Sequence, residues 1–229
     1  MTSLVWFASQ AQGETSLGIK VGFTSANVSG PDLSQLSTGG GTSPLTGFHV
    51  GLYVNSKVGK YFWIKSEVLT IQKGSIVQLN DNSGQPYKSK FKSQYIDVYP
   101  ISATFHYKGF QILAGPYVGM LLNSSIQYDS SGKLYTNSSI FGYAAALKSY
   151  RQKLDAGIVL GVEYEFKWGI SIGGRYTKGF VPLFENAATL VTNPTGGPLP
   201  SQKIYNENIS ISLGYSFGRH QQEKKPEKK

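Results

Sequence analysis

The 229-residue chain has no cysteine, only 15% charged residues and no apolar run long enough for a transmembrane helix. The absence of cysteine excludes a disulfide scaffold, a thiolate metal site and a cysteine nucleophile. The charged fraction is well below the roughly 25% usual for soluble domains, which argues against long solvated helices. The apolar fraction of 40% is well distributed, so disorder is expected only at the ends.

The chain is instead rich in residues that suit a β-sheet, with 15 Tyr, 12 Phe and 27 Gly. Its net charge of +9 is not concentrated in one stripe. The segment 218–229 contains five Lys or Arg and two Glu, which contributes +3, and the rest is scattered through predicted loops. This distribution does not favour a nucleic-acid-binding protein.

An apolar residue at every second position recurs in eight segments, which predicts eight β-strands. In the last segment Ile209, Ile211 and Leu213 alternate with serine and glycine. The fourth segment, from about Tyr95 to Tyr107, contains Pro100, which predicts a bulge or an unpaired amide there.

Long and short connections alternate along the chain. Long polar loops are predicted at 27–45, 73–94, 124–154 and 182–205, and short turns at 56–60, 108–109 and 167–169. Strands of about 10–13 residues joined in this way are typical of barrels that cross the outer membrane, with long external loops and short periplasmic turns. We therefore expect an all-β protein, an eight-stranded antiparallel up-and-down transmembrane β-barrel formed by residues 13–218.

The two faces of the predicted strands differ in side-chain size. One face carries Gly, Ser, Asn and single charges, and the other carries large apolar residues. Eight strands leave a narrow interior, so the small and charged face should point inward and the apolar face toward lipid. Aromatic residues near strand ends suit interfacial girdles: Tyr61, Phe110, Phe166, Tyr176, Tyr215 and Phe217. The alternative is a soluble ligand-binding β-barrel, with the two faces exchanged.

Five segments occur in an order and spacing that span about 200 residues: Gly18–Phe23, Tyr95–Pro100, Leu113–Gly119, Asp155–Gly161 and Gly174–Phe180. In these segments the chain resembles the PorT-like outer-membrane β-barrel proteins of Bacteroidota. Two departures are an extra residue, Tyr99, before the expected proline and a polar tail after the terminal aromatic Phe217. The resemblance implies an outer-membrane location in a Gram-negative organism. The namesake of the family is linked to type IX protein secretion.

Charged residues on the inward face form the most informative set: Lys20, Lys65, Glu67, Asp97, Asp155, Glu163, Glu165 and Arg175. Charges inside a narrow barrel are costly unless they are paired, so we expect a cross-strand network with Arg175 near Glu163 or Glu165. We interpret this network as a structural plug. The alternative is the selectivity lining of a small diffusion channel.

No residues are predicted for catalysis, for a cofactor or for a metal, and the protein is not expected to be an enzyme. His49 with a loop serine and Asp32 would be the best candidate for a hydrolytic site, but no Gly-x-Ser-x-Gly motif is present. The loop acids Asp32, Asp81 and Asp129 lack the spacing of metal ligands. The segment 39–42 lacks the Lys-Ser/Thr of a phosphate-binding loop.

The external loops carry several basic residues: Lys73, Lys88, Lys90, Lys92, Lys148, Arg151 and Lys153. Such loops could contact anionic lipopolysaccharide or a protein partner. The expected role is therefore structural or interactive, through the loops. Expected partners are outer-membrane lipid and lipopolysaccharide, together with a component of a secretion machinery or a periplasmic protein.

The two ends of the chain differ from the predicted barrel. Residues 1–12 contain a short apolar core and the small-x-small sequence Ser9-Gln10-Ala11, as in the second half of a secretory signal peptide, although a basic leading segment is missing. A frayed N-terminus is the alternative. Residues 219–229 are predicted to form a basic periplasmic tail.

Overall fold

The computed structural model describes residues 15–33, 41–80, 85–128, 152–184 and 203–217, so the predicted signal-like segment and the basic tail lie outside the described residues. The described residues form an all-β structure. Its strands are β1 (Thr15–Ser29), β2 (Thr42–Ser43), β3 (Leu45–Lys57), β4 (Phe62–Asn80), β5 (Pro86–Tyr107), β6 (Phe110–Tyr128), β7 (Leu154–Glu165), β8 (Ile170–Gly179) and β9 (Tyr205–Phe217).

The strands close into a barrel. Neighbours pair antiparallel in the order β4-β3-β1-β9-β8-β7-β6-β5, and a further pairing of β5 with β4 completes the ring. The two-residue β2 pairs with β4, as β3 does, so eight long strands make up the described wall. The predicted eight-stranded antiparallel barrel is confirmed. Within the described segments no helix has the length and apolar character needed to cross a membrane.

Side chains alternate between the two sides of the wall as the sequence predicts. On β1 the outward Ile19 is 47% exposed and Val21 55%, whereas Lys20 between them is 2% exposed. On β9 Ile211 and Leu213 point outward, and Ser212 between them is buried. A continuous apolar outer face suits hydrocarbon, so the soluble alternative with exchanged faces is wrong.

Aromatic side chains form a girdle at the end of the barrel that carries the short turns. Tyr61 stacks near Phe105, with ring centroids 6.1 Å apart, and Phe166 lies 5.9 Å from Trp168. Of the six girdle residues predicted, five lie at this end: Tyr61, Phe110, Phe166, Tyr215 and Phe217. Tyr176 lies toward the opposite end, where its hydroxyl donates a 3.0 Å hydrogen bond to Glu207.

The predicted short turns join β3 to β4, β5 to β6 and β7 to β8. The tightest is Lys108-Gly109, where both residues have positive φ, 48° and 89°. This is the conformation of a two-residue hairpin turn, and it requires a glycine because a side chain is strained there. We call this end of the barrel the turn end and the opposite one the loop end.

The predicted irregularity at Pro100 is confirmed. The register between β5 and β6 shifts between Val98 and Ala103, and the register between β4 and β5 shifts between Lys65 and Glu67. On β4, Ser66 lies inside the shifted region, and its Oγ donates a 2.6 Å hydrogen bond to the Pro100 carbonyl.

The prediction of a long loop at 73–94 is wrong. β4 and β5 remain paired as far as Asn80 and Pro86, so most of this segment is a β-hairpin that extends above β7, β8 and β9, with β6 paired along it as far as Ser89. On its inner side Val77, Leu79 and Phe91 are fully buried. The apolar residues change from the outer to the inner face at this point, so the outward apolar pattern that predicts a membrane strand ends here.

Candidate functional site

The barrel interior is the candidate site. The structure places there all eight charged residues predicted for the lumen, and none of them is more than 5% exposed. They are Lys20 on β1, Lys65 and Glu67 on β4, Asp97 on β5, Asp155, Glu163 and Glu165 on β7, and Arg175 on β8. Five of them form a central cluster, Asp97 and Asp155 belong to an outer cluster, and Glu165 lies nearer the turn end.

The central cluster consists of Lys20, Lys65, Glu67, Glu163 and Arg175. The Lys20 ammonium lies 2.8 Å from Glu67 Oε1 and 2.6 Å from Glu163 Oε1. The Arg175 guanidinium binds both carboxylates, with Nη2 2.8 Å from Glu67 Oε1 and 2.5 Å from Glu163 Oε1, and Lys65 binds Glu163 Oε2. Each carboxylate therefore receives several charge-assisted hydrogen bonds, which offset the cost of burial.

The central cluster joins opposite walls of the barrel. β4 and β8 are four positions apart in the eight-membered ring, so the ion pair between Glu67 and Arg175 spans the lumen. Lys20 reaches the same carboxylates from β1. The cluster thus occupies the full width of the interior at this level.

Glu165 lies nearer the turn end than the central cluster. Its Oε2 accepts a 2.8 Å hydrogen bond from Gln111 Nε2, and Gln111 Oε1 accepts one of 3.1 Å from Lys65. Of the two partners expected for Arg175, the structure pairs it with Glu163, and Glu165 is joined to the cluster through Gln111.

The outer cluster lies toward the loop end, around Lys73. The Lys73 ammonium is 2.8 Å from Asp97 Oδ2 and 2.9 Å from Asp155 Oδ2. Asp155 Oδ2 also accepts hydrogen bonds from Tyr117 OH at 3.1 Å and Asn206 Nδ2 at 2.8 Å. The outer cluster thus ties β4, β5, β6, β7 and β9 together around one buried ammonium.

Sequence reasoning missed Lys73, which it assigned to an external loop. The residue is fully buried, and its ammonium lies 4.5 Å from the Tyr117 ring centroid and 4.7 Å from that of Tyr95. A signal was available, because Lys73 keeps the same period-two parity as Glu67, Leu69 and Ile71 on β4. Continuing the parity would have placed it inside.

An apolar and aromatic layer separates the two clusters. The rings of Tyr99 and Tyr117 pack with centroids 5.7 Å apart, and three buried aliphatic side chains complete the layer: Leu69, Leu113 and Val159. Tyr99 OH donates a 3.3 Å hydrogen bond to Asp97 Oδ2 in the outer cluster, and the Arg175 guanidinium carbon lies 6.0 Å from its ring centroid. The layer therefore contacts both clusters.

A second apolar cluster closes the loop end, and we call it the cap. Its buried members are Val28, Val77, Leu79, Tyr87, Phe91, Leu183, Phe184 and Ile204. They pack the inner side of the extended β4–β5 hairpin against chain near the ends of β1, β8 and β9, with the Phe91 and Phe184 ring centroids 6.4 Å apart. The backbone of Leu183 donates a 2.9 Å hydrogen bond to the Ile204 carbonyl, which fixes this contact.

The residues considered for a hydrolytic site do not come together. His49 is buried inside the barrel, where Nε2 lies 2.9 Å from Ser212 Oγ, and no described group forms a hydrogen bond with its Nδ1. Asp32 Oδ2 instead accepts a 2.7 Å hydrogen bond from the Lys203 backbone. Asp81 and Asp129 lie outside the described residues, and no metal-binding group of His, Cys, Asp and Glu occurs among those described.

Taken from the turn end to the loop end, charged, aromatic, charged and apolar layers fill the described interior. Eight strands leave room for side chains alone, and these side chains occupy it. Together with the apolar outer face, these layers define a transmembrane β-barrel with a filled interior.

Residues 7–185 match the protein family described as outer membrane protein beta-barrel domain. The match covers more than half of the chain, so the chain belongs to this family, and it is an outer-membrane protein. No curated protein sequence matches it.

Several solved structures are similar in fold. Neisserial surface protein A is 10% identical, with 89% of this chain and 99% of that chain covered and a TM-score of 0.48. Ail, the attachment invasion locus protein of Yersinia pestis, in complex with the heparin analogue sucrose octasulfate, is 12% identical with the same coverage and a TM-score of 0.44. The outer membrane protein AlkL in lipid bilayers is 17% identical, with 90% and 91% covered and a TM-score of 0.35.

Proposed function

We propose that this protein is a non-conducting, non-enzymatic anchor of the outer membrane that acts through its loop end as a structural or interaction protein. The observation that carries this proposal is the central cluster, in which the Glu67–Arg175 pair bridges opposite strands. A lumen occupied across its width leaves the ends and the outer wall as the surfaces available for a function.

The resemblance to PorT-like proteins of Bacteroidota supports a finer version of the proposal. In this version the protein is made with a signal peptide and assists protein secretion across the outer membrane. Its partners are outer-membrane lipid and lipopolysaccharide, and a component of the secretion machinery or a periplasmic protein. The layers of the interior favour this role over a diffusion channel, which needs an open path.

Conductance in a planar bilayer tests whether the barrel is non-conducting, as the proposal requires. The wild-type barrel is expected to give no unitary currents under conditions in which a porin control gives them. The double variant Glu67→Ala/Arg175→Ala removes the pair that crosses the lumen, but the aromatic layer, the outer cluster and the cap remain, so it too is expected to give no unitary currents. Stable unitary currents from the wild type would contradict the proposal and favour the channel.

A complementation experiment tests the link to secretion. Cells that lack the gene receive either the wild type or a variant in which residues 129–151 and 185–202 are replaced by short Gly/Ser linkers. Secreted protein in the medium is measured, and heat-modifiable gel mobility confirms that the shortened barrel folds. Secretion is expected with the wild type and not with the shortened variant. Normal secretion in cells without the gene would remove the secretion role.

A further inference from the structure

The barrel wall is much taller on one side. β4, β5 and β6 have 19, 22 and 19 residues, whereas β7, β8 and β9 have 12, 10 and 13. The additional length lies at the loop end, where the β4–β5 hairpin extends to Asn80 and Pro86. We call the part of β4, β5 and β6 above the Gln72–Gln94 pair the tall wall.

The outer face of β5 changes character at one level. Phe105, Val98 and Ile96 point outward in the apolar band, and the next outward residues are Gln94 and Lys92. From Phe105 to Ile96 the strand rises about 30 Å along its axis, or about 21 Å along the membrane normal at a tilt near 45°. This height is close to that of a typical outer-membrane apolar band, so the hydrocarbon ends near Ile96.

Above this level three lysines point outward from the tall wall. Lys88, Lys90 and Lys92 occupy alternate positions of β5, all on the face that carries Ile96 lower down. The backbone positions that carry these lysines lie about 7 Å apart along the strand. We call these three residues the lysine face. The outward positions beside them on the described parts of β4 and β6 carry no acidic residue.

The base of the lysine face is a polar pocket. It has a volume of about 150 Å³ and is lined by Gln72, Lys92, Ser93, Gln94, Asn123, Ser124 and Ser125. The Lys92 ammonium, the amides of Gln72, Gln94 and Asn123, and the hydroxyls of Ser124 and Ser125 supply hydrogen-bond donors, which suits the oxygens of a phosphate. Lys92 lies four residues above Ile96, about 9 Å higher along the membrane normal, which is the level of lipid headgroups.

We propose that the lysine face and its pocket bind the phosphorylated headgroup of an outer-leaflet glycolipid. The lysines point sideways into the plane of the leaflet, so the group they meet is a neighbouring lipid. Directly below, exposed apolar side chains offer a wall for its acyl chains: Val98, Val118, Met120 and Leu122. A soluble ligand would not use this apolar wall, which favours a lipid. The inference names one partner of the proposed anchor, and binding is measured independently of conductance and secretion.

Native mass spectrometry of the detergent-solubilised barrel tests the site. The probes are diphosphoryl lipid A, dephosphorylated lipid A and the water-soluble phosphorylated disaccharide without acyl chains. The triple variant Lys88→Gln/Lys90→Gln/Lys92→Gln is expected to bind diphosphoryl lipid A about a hundredfold more weakly than the wild type. Dephosphorylated lipid A is expected to bind the wild type and the variant equally weakly.

A matched variant removes the same charge at the other membrane boundary. Lys60, Lys108 and Lys167 are exposed at the turn end, and their replacement by glutamine should leave lipid A binding unchanged. Heat-modifiable mobility shows that both triple variants are folded. An equal loss in the two variants, or undiminished binding by the lysine-face variant, would overturn the proposal. Tight binding of the soluble phosphorylated disaccharide would also overturn it, because the ligand would then not be a lipid.

Discussion

Glu163 is the residue on which the central cluster depends most. Its two carboxylate oxygens accept from Lys20, Lys65 and Arg175, and its side chain is 2% exposed. Glu163→Gln leaves three buried cations facing the single carboxylate of Glu67. Since breaking a buried ion pair on one side leaves charge uncompensated, the free energy of unfolding should fall by about 3–5 kcal/mol. Urea-induced unfolding in lipid vesicles measures it.

Glu165→Gln is the matched control for this substitution. It lies two residues further along β7 and is also buried, but it lies outside the three-cation arrangement, and one of its oxygens accepts a hydrogen bond from Gln111. Its replacement should lower the free energy of unfolding by less than half as much. An equal loss of unfolding free energy in the two variants would show that the three cations around Glu163 do not make it more important for stability than Glu165.

Gly119 lies in register between two carboxylates of the outer cluster, Asp97 on β5 and Asp155 on β7. A Cβ added at Gly119 would come within 2.5 Å of Asp97 Oδ1. Gly119→Ala should therefore displace Asp97 from Lys73 and lower the free energy of unfolding by about 1–3 kcal/mol.

Gly174 provides the comparison for Gly119. It lies on β8 with its free side toward lipid, and an added Cβ would meet only the Ser210 carbonyl oxygen at 3.8 Å. Gly174→Ala should change the free energy of unfolding by no more than about 0.5 kcal/mol. A larger loss for Gly174→Ala than for Gly119→Ala, in the same unfolding assay, would contradict the close packing of the outer cluster.

Parity along each strand was enough to predict which charged residues point inward, because successive side chains of a strand alternate between faces. It could not predict their partners. Glu163 and Glu165 share one face and lie only about 7 Å apart on β7, so the choice between them depends on strand tilt and register. Tilt and register are properties of the closed ring. The register pairs Arg175 with Gly161, and Arg175 binds Glu163 because Glu163 is two residues from Gly161, whereas Glu165 is four residues away.

At the scale of elements, the β4–β5 hairpin is the part of the fold that the sequence did not predict. Below the Gln72–Gln94 pair the apolar residues point outward to lipid, and above it Val77, Leu79 and Phe91 point inward to the cap. The alternation of side chains along the strand continues, but the apolar residues move from the outer to the inner face where the wall leaves the bilayer. The outward apolar pattern of a membrane strand therefore ends below the top of the hairpin, and for this reason the sequence predicts a loop that includes Lys73.

Phe91→Ala tests whether the hairpin forms a separate unit above the membrane. Phe91 is fully buried in the cap, so its truncation should destabilise the packing there by about 3–5 kcal/mol. Hydrogen exchange of the Ser75–Leu79 amides should become at least about a hundredfold faster, while exchange within β8 stays unchanged. The control is Lys90→Ala, which shortens an outward side chain on the same strand. Faster exchange throughout the barrel in Phe91→Ala would show that the cap and the membrane-spanning wall unfold as one.

At the scale of the whole molecule, the number of strands determines where both ends of the wall lie. Eight strands that cross alternately return β9 to the side where β1 begins, and the register pairs Leu17 with Phe217 at the turn end. The long connections and the tall wall share the opposite end. In outer-membrane barrels the short turns are periplasmic, which places the lysine face outside the cell.

Single-cysteine labelling can test this orientation cleanly, because the chain contains no cysteine of its own. Lys90→Cys on the tall wall and Lys108→Cys in the β5–β6 turn replace exposed residues at opposite ends. In intact cells a membrane-impermeant maleimide should label Lys90→Cys and leave Lys108→Cys unlabelled until the outer membrane is permeabilised. The opposite labelling pattern would place the turns outside, and the phosphorylated glycolipids of the outer leaflet could then not reach the lysine face.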